Sequence, residues 1–241
     1  IVRSVSDEGS GTGSRPNDDT VGVRPALWIQ LDTDKDLTPS DTLDYETSAA
    51  IRAAEISDMG LTAEQYNTVL IDGIEWYVLE VQDNKALLLS RYLHPQQMQI
   101  NEINKLVDEE QITRFGFAEN NAKSTYDTIW ATSIIHDYLN GEWLSMHPTL
   151  NAAAAAETTI QTRFYLGGNI NEYWCDSADK VFLLSTADMF GTTFDETEYI
   201  PNTELSLGTP VTADDPREYT LGTVGVIVPE ALRTADIFLQ D

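Results

Sequence analysis

Residues 20–31, TVGVRPALWIQL, constrain the fold more than any other stretch of the chain. Val21, Val23, Leu27, Trp28 and Ile29 form an apolar run behind a glycine turn. A strand of that composition does not stay in water with its backbone unpaired. It has to close a sheet, either in its own domain or in a neighbouring copy. Residues 223–232 then read TVGVIVPEAL, repeating the first four letters and keeping proline, alanine and leucine in order. A chain with two such endings contains a repeat or carries one strand out of place.

Around this strand the pattern is mixed. Residues 1–19 are rich in Gly, Ser and Asp and read as a surface loop, and residues 32–44, DTDKDLTPSDTLD, as an acidic connector. YETSAAIRAAEISDMG from Tyr45 has helical spacing, with Gly60 as its stop. From Val69, VLIDGIEWYVLEVQDNKALLLSRYL predicts two hairpins, turning at Asp72-Gly73 and at QDNK. STYDTIWATSIIHDYLNGEWL predicts an amphipathic helix with Trp130, Ile134, Tyr138 and Trp143 on one face and Asn140-Gly141 ending it. NAAAAAETTI extends that helix or begins another, and DKVFLLS, residues 179–185, reads as a buried strand. The fold class is therefore α+β, with short antiparallel strands, one or two helices and long loops.

Charge narrows the partners. Forty Asp and Glu against 14 Lys and Arg leave a formal net charge of −26, which repels nucleic acid and anionic membranes. No apolar stretch reaches the roughly 18 residues of a membrane helix. Residue 1 follows neither an initiator Met nor a charged-then-apolar leader, and reads as the start of a processed or trimmed piece of a longer chain. One cysteine, Cys175, excludes an internal disulfide and reads as a buried small hydrophobe beside Trp174. His94 and His147 precede prolines in loops, and His136 reads as a packed or surface histidine. No HExxH, GxSxG or phosphate-cradling loop is present, so no catalytic residue is assigned. Asp32, Asp34 and Asp36 stand at the first, third and fifth positions of a calcium loop, with Asp41 as a further donor. Leu37 and Leu43 replace that loop's usual glycine and bidentate acid, so a solvated acidic linker is the simpler reading. Ca2+ is an optional ligand and no cofactor is required. Tyr173 and Trp174, in the Gly/Asn-rich loop LGGNINEYW, are the aromatics best placed to meet a ligand, while Trp76 and Trp130 point to the core.

Several motifs together resemble a bacterial domain-of-unknown-function family, six-two-seven-three in catalogue numbering. They are IEWYVLEVQDNKALLLS, TYDTIWATSIIHDYLNGEWL and DKVFLLS, with VRS at residues 2–4, GSGTGS, and GVRPALWI at residues 22–29. That ending is similar to the last strand of C-type-lectin-like and formylglycine-generating-enzyme-like folds, and implies a C-type-lectin-like domain. The redox chemistry of the latter group needs a cysteine pair that this chain lacks.

Here the family's ending precedes its beginning. We read residues 1–31 as the closing strand and loop, residues 32–68 as acidic linker and helix, and residues 69–241 as the main domain. Tandem copies in a parent protein are the favoured origin. The alternative is a permuted arrangement in which Val21, Val23, Arg24, Leu27, Trp28 and Ile29 complete this domain or a neighbour's. The resemblance implies a non-enzymatic extracellular or cell-surface adhesion module that recognises a glycan or protein ligand through its loops. The alternatives are a fibre or array subunit joined to copies of itself by strand exchange, and a glycan-active hydrolase using two of the many carboxylates.

Overall fold

The apolar run becomes β1, Ala26–Gln30, and it is an interior strand. The computed structural model of the chain describes residues 23–35, 42–56, 65–82, 84–95, 98–154, 158–166 and 171–184. Val21, Gly60 and the second TVGV segment lie outside the described residues. β1 pairs antiparallel with β4, Lys85–Ser90, through Ala26 opposite Leu89 to Gln30 opposite Lys85. Its other edge pairs with β7, Val181–Phe182. With β2, Val69–Ile71, and β3, Ile74–Gln82, the spatial order is β2-β3-β4-β1-β7. The strand thus closes a sheet of its own chain, in register with strand residues that come 55 or more positions later in the sequence.

Both predicted hairpins form. Asp72 and Gly73 both take positive φ, 50° and 80°, the backbone that a two-residue hairpin turn needs and that glycine tolerates best. β3 and β4 pair from Gln82 opposite Lys85, with a bulge between Val78 and Glu80.

The sheet is buried on both faces. Leu27, Ile29, Trp76, Val78 and Leu88 point to one side, under α1 (Tyr45–Ala54) and the helical segment around Ile135, Leu139 and Trp143. Ala26, Trp28, Tyr77, Leu87, Leu89 and Phe182 point to the other, against Ile56, Tyr66 and Ile160. A strand enclosed in this way reads as a continuous apolar run instead of an alternating one.

The remaining elements are short. Asp44 caps α1, accepting from the Thr47 amide at 2.9 Å. α2, Glu109–Phe115, opens with a reciprocal capping box between Asp108 and Gln111 and closes on Gly116 at φ 68°. α3 is Glu119–Ala122, and α5, Pro148–Ala153, receives its cap from another element: Asp72 Oδ2 accepts from the Thr149 and Leu150 amides at 2.9 Å. β5, Thr158–Leu166, and β6, Asn171–Asp179, make a separate two-stranded ribbon. The described residues hold five short α-helices, more than the one or two expected, in a mixed α+β fold of antiparallel sheets.

Two expectations need correction. The predicted helix through residues 124–144 is three pieces: a 3-10 turn at Trp130–Thr132, α4 at Ile134–Tyr138, and a π-turn at Leu139–Trp143. Asn140-Gly141 does not end it. Ile135, Leu139 and Trp143 carry the buried face, whereas Ile134 is exposed. The Ser133 side chain starts α4 by accepting from the His136 amide, and the widened turn follows because Asn140 is fastened to a strand, as described below. The strand predicted at residues 179–185 is only Val181–Phe182 within the described residues, though both are fully buried.

Candidate functional site

Two segments far apart in sequence meet at the junction of α4, the π-turn and the end of β6. Asp179, fully buried, accepts from Trp130 Nε1 at 2.6 Å through one oxygen and faces His136 Nε2 at 2.9 Å through the other. His136 Nδ1 faces Asp137 Oδ1 at 3.0 Å. Asn140 uses its whole side chain: Oδ1 accepts from the Lys180 and Val181 amides at 2.8 and 2.9 Å, and Nδ2 donates to the His136 and Val181 carbonyls. This clamp holds β6 and β7 to the helical segment.

The chemistry of His136 follows from its partners. Burial alone would lower its pKa. The hydrogen bonds and charges of Asp179 and Asp137 outweigh that and raise it above the ordinary histidine value. With a carboxylate on each ring nitrogen the imidazolium donates twice, leaving no lone pair to take a proton from a substrate. The two carboxylates favour the protonated ring, in a structural role.

Beside the clamp lies a shallow cleft of about 160 Å3, lined by Asn140, Gly141, Leu144, Asn151, Ala178 and Lys180. This is below the roughly 300 Å3 at which pockets enclose a drug-sized ligand, so it fits one functional group of a larger ligand. Asn140 fixes the backbone of Lys180 at its rim. The cleft continues onto the outer face of β6, where exposure alternates: Trp174, Asp176 and Ala178 are exposed, while Cys175, Ser177 and Asp179 are buried.

Tyr173 and Trp174 lie on β6, a strand, and the loop placement expected for them is thereby corrected. Tyr173 is part of the packing. Its ring sits 4.9 Å from that of Phe117, and its hydroxyl accepts from the Ala118 amide at 3.1 Å. Trp174 is 42% exposed, while Trp28, Trp76 and Trp143 are at most 2% exposed. Trp76 lies in the core as expected, and Trp130 is half-buried through its bond to Asp179. Cys175 is the buried hydrophobe expected: burial, with Asp176 adding to it, pushes its thiol up to about 12.

Among the strand residues singled out from the sequence, Val23, Leu27, Trp28 and Ile29 are buried. Arg24, also buried, donates from Nε to the Ser90 carbonyl at 2.7 Å and from Nη2 to the Arg91 carbonyl at 2.6 Å. It pins the start of β1 to the end of β4. Burial pulls its pKa down to about 10, with the Tyr77 ring beneath the guanidinium.

Of the acidic candidates, Asp36 and Asp41 lie outside the described residues. Asp32 is buried and its Oδ1 accepts from the Asp34 amide at 2.9 Å, closing a local turn. Arg52 donates to the Asp32 carbonyl at 2.9 Å. Among the described residues, no three His, Cys, Asp or Glu side chains are grouped to hold a metal ion.

Sequence reasoning missed a second buried carboxylate. Asp127 accepts from Asn101 Nδ2 at 2.9 Å, Gln111 Nε2 at 2.8 Å and the Ile129 amide at 3.2 Å, with Lys105 Nζ at 3.3 Å. Its partners are spread over residues 101–129, and among 40 acids nothing local marks it. A buried carboxylate that accepts from three partners beside an ammonium is the arrangement of a structural node.

Among the described residues, no helix is long and apolar enough to cross a membrane. No curated protein and no solved structure gives a significant match to the chain. A family model described as "Domain of unknown function (DUF6273)" matches residues 83–215, more than half of the chain and including β4, the helical clamp, the ribbon and β7. The chain belongs to that family.

Proposed function

We propose that this chain is a non-enzymatic binding module of an extracellular bacterial surface protein, and that it recognises a glycan through the outer face of the β5–β6 ribbon. The observation that carries this reading is Trp174. An indole costs apolar area when left in water, and this one is exposed on a strand whose opposite face is fully packed. A flat aromatic on a ribbon that leads to a polar cleft suits stacking on one sugar of a longer glycan, with hydrogen bonds further along it. The polar side chains of the clamp are consumed by the fold, which favours recognition over turnover. In this reading β1 is the family's closing strand of a C-type-lectin-like domain, delivered from the N-terminal side.

The test is a glycan array probed with the full chain and with Trp174→Ala. Binding by the full chain that is lost in the variant, at unchanged thermal stability, supports the proposal. Absence of any glycan bound by the full chain sinks it.

One observation favours a second reading, a fibre or array subunit. β1 is an interior strand whose sheet partners are remote in sequence, so an identical strand from another copy could fill the same slot. Removal of residues 1–31 would then abolish polymers seen with the full chain.

A further inference from the structure

Resting on the glycan reading above, we infer that Lys180 is a carboxylate-binding residue and that the ligand is an oligosaccharide bearing a uronic-acid-type carboxylate at one end. At the clamp, the polar side-chain groups of Trp130, Ser133, His136, Asn140 and Asp179 all have partners within the fold. The Lys180 ammonium is the exception. Among the described residues it has no carboxylate within salt-bridge distance, whereas Lys35, Lys105 and Lys123 each have one. Lys85 is alike in this respect among the described residues, and Lys180 differs from it in lining the cleft.

Its setting is built for a small anion. Asn140 fixes the Lys180 amide, so the side chain leaves from a rigid point beside the π-turn, an irregularity often found at functional sites. Asn151, exposed on α5, adds an amide donor, and Gly141, Leu144 and Ala178 complete walls that include no carboxylate. The volume of about 160 Å3 admits a group of carboxylate size. A phosphate would be expected to meet several donors or a helix N-terminus; one ammonium and one amide suit a monoanion. Although the whole protein is strongly negative, screening over about 8 Å at physiological ionic strength leaves the cleft governed by its own walls.

Strand geometry sets the ligand's length. Trp174, Asp176 and Ala178 occupy one face of β6, which ends at Asp179 immediately before Lys180, and the five residue steps from Trp174 to that end span about 17 Å. A ligand stacked on Trp174 reaches Lys180 only if it is several sugar units long, with its acid at the end.

The experiment titrates the full chain with an otherwise neutral tetrasaccharide carrying one terminal uronic acid, at either end, and with its methyl ester, by calorimetry. The free acid should bind about tenfold more tightly than the ester, the value of one charge-assisted hydrogen bond. Lys180→Gln should reduce acid binding to the ester's level and leave ester binding unchanged. Lys85→Gln, the same charge change on β4 away from the cleft, should alter neither. Equal affinity for acid and ester, or acid binding indifferent to Lys180→Gln, overturns the carboxylate assignment. Loss of ester binding in Trp174→Ala would in that case still support the glycan reading. If neither sugar binds the full chain, both fail.

Discussion

Strand β1 is buried on both faces, whereas β6 is buried on one, and the difference separates what holds this protein together from what it can offer a partner. Ala26 to Ile29 are at most 1% exposed, with successive side chains entering opposite cores. On β6, Cys175, Ser177 and Asp179 face inward, while Trp174, Asp176 and Ala178 meet solvent. Two tryptophans therefore carry different meanings. Trp28 is part of the core that makes the fold possible, and Trp174 is apolar area that folding leaves partly uncovered.

Removing either indole is the most direct way to break this comparison. Trp28→Ala should destabilise the chain by about 3–5 kcal/mol, because a fully enclosed side chain leaves a cavity. Urea unfolding measures this, and a loss under about 1 kcal/mol would mean that β1 does not hold the sheet. Next in size is the pin at the start of β1. Arg24→Met should cost about 2 kcal/mol, since the Ser90 and Arg91 carbonyls lose their donors in a largely dry setting. The same unfolding assay applies.

The inner face of β6 is sharpened by pH. The folded-state pKa of His136 is raised, so its contribution is fully present below the ordinary value of about 6.5 and lost as pH rises through the folded value. The stability gap between the parent chain and His136→Gln should accordingly be larger at pH 6 than at pH 9. A gap that widens with rising pH would refute the doubly bonded imidazolium. Cys175 tests the same face chemically: with its thiol pushed up to about 12 and enclosed, labelling by a thiol reagent at neutral pH should be slow until the chain is unfolded. The smallest expected effect on stability is on the outer face. Trp174→Ala should change the unfolding free energy by no more than about 0.5 kcal/mol while abolishing glycan binding.

Features governed by near neighbours were legible in the residues. Asp72-Gly73 announced its hairpin because the turn's backbone demands such residues. VRPALWI announced a strand that had to be covered, and Cys175 a buried thiol. The helix through residues 130–143 was legible in its apolar content but not in its breaks. Its shape depends on Asn140 reaching a strand 40 residues away. Asp179 and Asp127 were invisible among 40 acids, because a carboxylate's role is defined by what surrounds it after folding.

The amino-acid order by itself determined the α+β class, the hairpins, the apolar strand and the acidic surface, since these follow from local backbone preference, side-chain periodicity and summed charge. Tertiary structure alone decided that β1 lies between β4 and β7, that His136 is consumed by Asp179 and Asp137, and that Lys180 is left facing a cleft. Those outcomes rest on contacts between residues tens of positions apart, and a pairing at that range exists only once the whole sheet has closed around it.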